Sequence, residues 1–261
     1  MKKPTVLLQA LGVSIMAMFA ASSANAATIT LTGTIRDFND THPDFEGNVI
    51  KRDPGIVQST LGADGKPVYA GNPKTLTTSG KTNFDQWYRD TPGVNLSQQY
   101  SITLDDSNTP GFFSYSNKQF FPIDNQLFGN ERRSHNYHFT YEIASQFTYR
   151  GGETLKFSGD DDVWVFLNKE LVLDLGGVHG ELEESVNLDE LANALKITKG
   201  KTYDFNLFFA ERRTNQSRFT LTTSLALEPP SVPEPLTIGS TIVAAGLGLW
   251  MKRKQKAAHL A

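Results

Sequence analysis

Ser158-Gly159-Asp160-Asp161-Asp162-Val163-Trp164-Val165-Phe166-Leu167 is the stretch on which the reading of this chain turns. Val163 to Leu167 is apolar throughout, which marks a central strand covered on both faces. Three adjacent carboxylates open it. In a regular strand Asp160 and Asp162 point one way and Asp161 the other. Two charges about 6 Å apart repel by roughly 3 kcal/mol at an effective dielectric near 20. If the turn is half-buried, something must offset that repulsion, and a hard cation with oxygen ligands such as Ca²⁺ does so directly. Asp160 and Asp161 share one ion only if the backbone leaves strand geometry, as a cis peptide would allow. On pattern alone, a solvated acidic turn is an equal alternative.

Working outward, the β signal continues on both sides. Asn168-Lys169-Glu170 reads as a tight turn, and Leu171-Val172-Leu173-Asp174 returns beside the apolar strand as a hairpin. Tyr137, Phe139, Tyr141 and Ile143 stand two apart and share one strand face. Thr28 to Ile35, Gln99 to Leu104, Tyr203 to Phe209 and Phe219 to Thr223 are further strands. Residues 36–75 lack periodicity and carry turn sequences such as Asp53-Pro54-Gly55, so they form a long surface excursion. Phe84, Trp87 and Tyr88 pin its end to the core. Leu188 to Leu195 is the one good short helix, with Asn187 as its cap. Many short strands and a single small helix indicate an all-β sandwich or barrel with long loops.

Both ends of the 261-residue chain read as addresses. Met1-Lys2-Lys3, the apolar run from Val6 to Ala21 and Ala24-Asn25-Ala26 make residues 1–26 a signal peptide, with a retained anchor as the alternative. Residues 229–261 hold a Pro-rich linker, an apolar helix over 236–251 and a basic end, Lys252-Arg253-Lys254-Gln255-Lys256. The apolar run is slightly short for a span of roughly 20 residues, and the basic cluster belongs on the cytoplasmic side. Between the ends, residues 27–228 form one domain. Six of the 25 Lys and Arg and one of the 28 Asp and Glu lie in the ends, leaving 19 against 27, net −8. That balance argues against nucleic acid and anionic membrane as partners and suits a domain that collects cations. With no cysteine there is no disulfide framework.

Val232-Pro233-Glu234-Pro235, the apolar run and the basic cluster together resemble the PEP-CTERM sorting signal of Gram-negative bacteria. The resemblance covers about 25 residues. It implies transient membrane anchoring, processing by an exosortase-type protease, and an association with exopolysaccharide at the cell surface or in the extracellular matrix. A plain single-pass anchor is the alternative.

The middle of the chain carries a second resemblance. Gly159 to Phe166, Asp174-Leu175-Gly176-Gly177-Val178-His179, Phe208-Phe209-Ala210-Glu211-Arg212 and Ser217 are its downstream motifs. Phe84 to Tyr88, Phe120 to Asp124 and His135 to Thr140 lie upstream. In this order they look like the fibro-slime domain, a PA14-like β-domain of exported surface proteins, over roughly residues 31–223. PA14-like lectins hold Ca²⁺ through an Asp-cis-Asp pair, and the ion helps coordinate sugar hydroxyls. The resemblance therefore implies Ca²⁺ on Asp160 and Asp161 and a surface glycan as ligand. Asp162 joins them as a metal candidate, although it falls where many PA14 domains have glycine. Trp164, Asp174, His179 and Asn215 are the candidate ligand-binding residues. His179 follows a glycine pair where backbone approaches closely, and Asn215 offers a carbonyl oxygen from a neighbouring loop. The plainer reading of His179 is a hydrogen-bonded structural histidine, and of Glu211 and Arg212 a salt bridge or loop anchor. No Gly-x-Ser-x-Gly elbow and no His-Glu-x-x-His site occur, and neighbouring carboxylates rarely reach the separation of about 5 Å that glycoside hydrolysis needs. The expectation is a binding domain and not an enzyme, with a structural matrix protein as the alternative.

Overall fold

A computed structural model describes residues 26–229. The expected signal peptide, apart from Ala26, and the sorting tail beyond residue 229, including its apolar helix, lie outside the described residues. The chain opens with β1 (Thr28–Phe38), a two-residue β2 (Lys51–Arg52) and the short helix α1 (Lys81–Phe84). It continues with β3 (Asn95–Asp105), β4 (Phe113–Asn117) and β5 (Phe139–Thr148). Next come β6 (Thr154–Asp160), β7 (Asp162–Leu167), β8 (Glu170–Leu175), β9 (Gly177–Val178) and β10 (Leu182–Asn187). Helix α2 (Leu188–Leu195), β11 (Thr202–Glu211), β12 (Arg218–Thr223) and β13 (Leu227–Glu228) complete it. The protein is mostly β, as its sequence leads one to expect.

One sheet carries almost everything, in the order β10-β6-β12-β4-β3-β1-β5-β11-β7-β8, with β13 paired to β5. All its ladders are antiparallel. Strands β6 and β7 sit near opposite ends of this order, yet Asp161 alone links them. Successive Cα atoms are only about 3.8 Å apart. The sheet must therefore curl until its two ends come together, and it becomes a nearly closed barrel with a seam. The acidic triplet lies at that seam. Close strand packing leaves its mark at Gly33, where a Cβ would stand 2.1 Å from the Glu142 carbonyl oxygen on the neighbouring strand.

The interior is aromatic. Phe120, Phe139, Tyr141, Phe157, Phe209 and Phe219 pack mostly edge-on or tilted around one another. Each buried aromatic ring contributes on the order of 2–3 kcal/mol of hydrophobic stabilisation. The excursion after β1 builds a second core on the other side of β7 and β11. There Ile56, Phe84, Trp87 and Tyr88 cover Trp164, Phe166 and Phe208. This is why Val163 to Leu167 is apolar at every position: all five residues are buried, alternately in one core and the other.

Local chemistry sets the ends of several elements. Asn168 and Lys169 both have positive φ, 50° and 69°, the conformation that a two-residue hairpin needs to match strand twist. Asn187 caps α2 by accepting a 3.0 Å hydrogen bond from the Asp189 amide. Strands β4 and β10 are absent from the sequence expectations. In β10, Leu182-Glu183-Glu184-Ser185-Val186 hides its period under charge, and of its residues Val186 alone is buried, as suits an edge strand.

Candidate functional site

The β6–β7 crossing turns Asp160 and Asp161 toward a cavity of about 470 Å³. Two segments close it: Val178-His179-Gly180 at the end of β9, and Arg213-Thr214-Asn215-Gln216 between β11 and β12. Ile50, from the excursion, adds an apolar wall. The peptide between Asp160 and Asp161 is cis. Backbone amides fix both side chains. Asp160 Oδ1 accepts from the Arg218 amide at 2.5 Å. Asp161 Oδ1 accepts from the His179 amide at 2.9 Å and its Oδ2 from the Arg212 amide at 3.2 Å. Asp161 thus ties together both loops that bound the cavity.

Burial makes these carboxylates reluctant anions. It lifts Asp160 to about 6, against the pull of the Arg218 amide and guanidinium. Asp161 is also raised by burial, with Arg212 opposing and Asp162 adding to the shift. Behind them Glu211 is fully buried, and burial together with the charges of Asp161 and Asp160 pushes it well up. Its Oε1 accepts from the Arg213 amide at 3.3 Å, while Oε2 and the neighbouring Ser217 hydroxyl have no partner in hydrogen-bond geometry among the described residues. Ser217 is close enough to favour the charged form of Glu211 slightly, but not in bonding alignment.

The triplet divides by role. Asp162 does not face the cavity. It is fully buried in an ion pair with Arg212, Nε donating to Oδ2 at 2.6 Å, while the Gly177 amide donates to Oδ1 at 2.6 Å. Arg212 continues to the Thr77 carbonyl at 2.7 Å and lies 4.8 Å from the centre of the Trp87 ring. Gly177 makes the close approach possible. Its φ is 117°, and a Cβ there would stand 2.3 Å from the Lys51 carbonyl oxygen.

Of the candidate residues, Asp160, Asp161, His179 and Asn215 surround the cavity and three others do not. Asp162 is consumed by Arg212. Trp164 is wholly buried in the second core, its Nε1 donating to Asp174 Oδ1 at 3.0 Å. Asp174 anchors turns, also accepting from the Gly176 amide at 3.0 Å and the Gly55 amide at 2.8 Å. His179 lines the cavity with both ring nitrogens against carbonyl oxygens, those of Leu175 and Gly180, each at 2.9 Å. It holds the loop through these contacts, which occupy both ring nitrogens. Arg213, Thr214 and Gln216 escaped sequence reasoning because loop residues carry no periodicity.

Among the described residues no three His, Cys, Asp or Glu side chains converge as a ready metal site. The oxygen donors at the cavity are the carboxylates of Asp160 and Asp161, the amide of Asn215 and loop carbonyls. Carboxylate oxygens keep spare lone pairs after accepting one amide each. Such all-oxygen donors fit a hard cation and not a softer transition metal.

Residues 86–238 match the PA14 domain family. The chain belongs to that family. Two curated relatives come from Dictyostelium discoideum. Protein psiQ is 41% identical over 210 residues, covering 75% of this chain and 20% of its own. Protein psiR is 39% identical over 251 residues, covering 90% of this chain and 24% of its own. The chain thus spans a quarter or less of those relatives' lengths. A solved structure, the PA14 domain of the MpAFP antifreeze protein, aligns with 82% of this chain and 100% of its own at 7% identity and a TM-score of 0.34. The PA14 match starts inside the second core and takes in both loops of the cavity.

Proposed function

We propose that this PA14 domain binds carbohydrate non-catalytically in the cavity beside Asp160 and Asp161, through a divalent cation held by those carboxylates. The supporting observation is the pairing of two buried acidic side chains on one cavity wall, fixed by three backbone amides and in direct ion pair with no side chain among the described residues. A Ca²⁺ ion would relieve that burial of charge, and Asn215 would complete its oxygen shell from the facing loop. The ion's chemistry is to polarise and orient sugar hydroxyls. Asp160 and Asp161 would hold it, His179 holds one loop, and Ile50 would offer an apolar surface to the sugar's C–H face.

The test is glycan-array binding with and without chelator, with calorimetric Ca²⁺ titration of the wild type and of Asp161→Asn. Chelator-sensitive glycan binding lost in Asp161→Asn supports the reading. No glycan bound in either condition overturns it. A second reading has its own observation: Asp161 joins the two cavity loops through amide hydrogen bonds. An ion there would serve a structural matrix protein by stapling those loops, raising the melting temperature with no sugar bound.

We further propose that the domain works outside the cell, as an adhesive component of a surface or exopolysaccharide matrix. The sequences of residues 1–26 and 229–261 support export and tail processing by an exosortase-type protease. The Dictyostelium relatives lend no support to the bacterial source that the tail resemblance implies. No helix among the described residues is long and apolar enough to cross a membrane.

A further inference from the structure

We infer that the ligand of this cavity carries a carboxylate and that Arg213 is its charge partner; the inference rests on the glycan reading above and narrows it to acidic sugars. Among the described residues six arginines are buried or half-buried: Arg36, Arg89, Arg133, Arg212, Arg213 and Arg218. Five hold a carboxylate at 2.6–2.9 Å: Arg36 with Asp90 and Glu142, Arg89 with Asp64, Arg133 with Asp40, Arg212 with Asp162, and Arg218 with Glu181. Arg213 holds none, and it is the one that lines the cavity. Its Nη1 donates to the Gly47 carbonyl, and its Nε and Nη2 have no partner among the described residues. A guanidinium half-withdrawn from water without a counter-charge is costly.

Arg213 is also held in place. Its amide donates to Glu211 Oε1 at 3.3 Å and its side chain reaches across to the excursion loop at Gly47. The fork is therefore fixed before any ligand arrives, which lowers the entropy lost on binding. Charge balance leads to the same ligand. Asp160 and Asp161 neutralise one divalent ion, and Arg213 then leaves the charged groups lining the cavity at net plus one. The unbalanced charge is the guanidinium's, and an anionic group on the ligand is what answers it. A sugar carboxylate suits guanidinium and ion alike, since it accepts two parallel N–H bonds from guanidinium and is an oxygen ligand for a hard cation. A cavity of about 470 Å³ has room for one or two sugar rings, within the usual range for small-ligand sites.

The experiment compares a galacturonic acid trimer with its neutral methyl ester by calorimetry. Free Ca²⁺ is buffered, because uronates take up the ion themselves. In the wild type the acid is expected to bind at least about tenfold more tightly than the ester, the scale of one charge-assisted hydrogen-bond pair. Arg213→Gln should remove that preference while keeping the melting transition, and Arg213→Lys should retain part of it. Equal affinity for acid and ester in the wild type overturns the inference while leaving the glycan reading intact, as does a preference that survives Arg213→Gln. An oligo-aspartate peptide binding as tightly as the uronate overturns the sugar assignment. Failure of both sugars and of every arrayed glycan overturns the glycan reading and this inference with it.

Discussion

At the scale of single residues, the acidic triplet shows how three identical side chains in a row come to do different work. Asp160 and Asp161 are held by backbone amides at a cavity, while Asp162 is spent on Arg212. Breaking a buried ion pair strands one charge in a low-dielectric interior. Arg212→Met is therefore expected to destabilise the domain by about 3–5 kcal/mol, measured by urea unfolding. The double variant Asp162→Asn/Arg212→Met should recover part of that loss, since no unpaired charge remains. A single variant within about 0.5 kcal/mol of wild type, the usual range for surface changes, would show the pair to be idle. The sequence showed that the triplet was unusual but not how its members divide. That division depends on which backbone amides and which arginine arrive from positions some 15–60 residues away, and no local pattern encodes it.

At the scale of elements, the strands with clean alternation were legible and the irregular segments were not. In β5, Phe139, Tyr141 and Ile143 face the core as their spacing dictates, and Asn187 caps α2 as expected. The segment between β4 and β5 has no strand, yet Phe120 and Ile123 in it are fully buried. It is held to β1 by Asp37, whose oxygens accept from Asn136 Nδ2 at 2.8 Å and from the Phe128 amide at 2.7 Å. Burial raises Asp37 to about 7, against those two hydrogen bonds. An unfolded aspartate titrates near 3.9. The folded state thus holds this proton more tightly, and the stability Asp37 contributes is complete below about pH 4 and lost as pH rises through 7. Relative to wild type, Asp37→Asn should become steadily more stable between pH 4 and about pH 7 in urea unfolding, and the gain should level off above that. Parallel curves for the two proteins would contradict the shift.

At the scale of the whole molecule, the barrel closes without sealing. β10 and β8 end the sheet order, and no ladder joins them among the described residues. Edge amides without partners open more readily than those in central strands. Hydrogen exchange followed by mass spectrometry should find amides of β5 and β11 exchanging at least about tenfold more slowly than those of β8 and β10. Uniform protection across the sheet would mean that the seam is bonded in solution. The all-β class was legible because alternation survives in most strands. The sheet order was not, because each crossover depends on which edges meet in space, and the hop through Asp161 gives no sign in sequence that its two flanking strands lie far apart in the sheet.

A two-residue ladder at the end of the described chain governs what happens when the domain is pulled. β13 is joined to β5 only at Leu227–Phe147 and Glu228–Gln146, with Ser145 Oγ donating to the Glu228 carbonyl at 2.6 Å. The cavity lies toward the other end of β5, where Glu211 pairs with Phe139. Eight residues separate Phe139 from Phe147 along β5, roughly 27 Å at strand rise. Tension entering through residue 229 falls first on that two-residue clasp and peels it bond by bond. Under such a pull the domain gives way first at β13, releasing a few residues of slack before any load reaches Asp160 and Asp161.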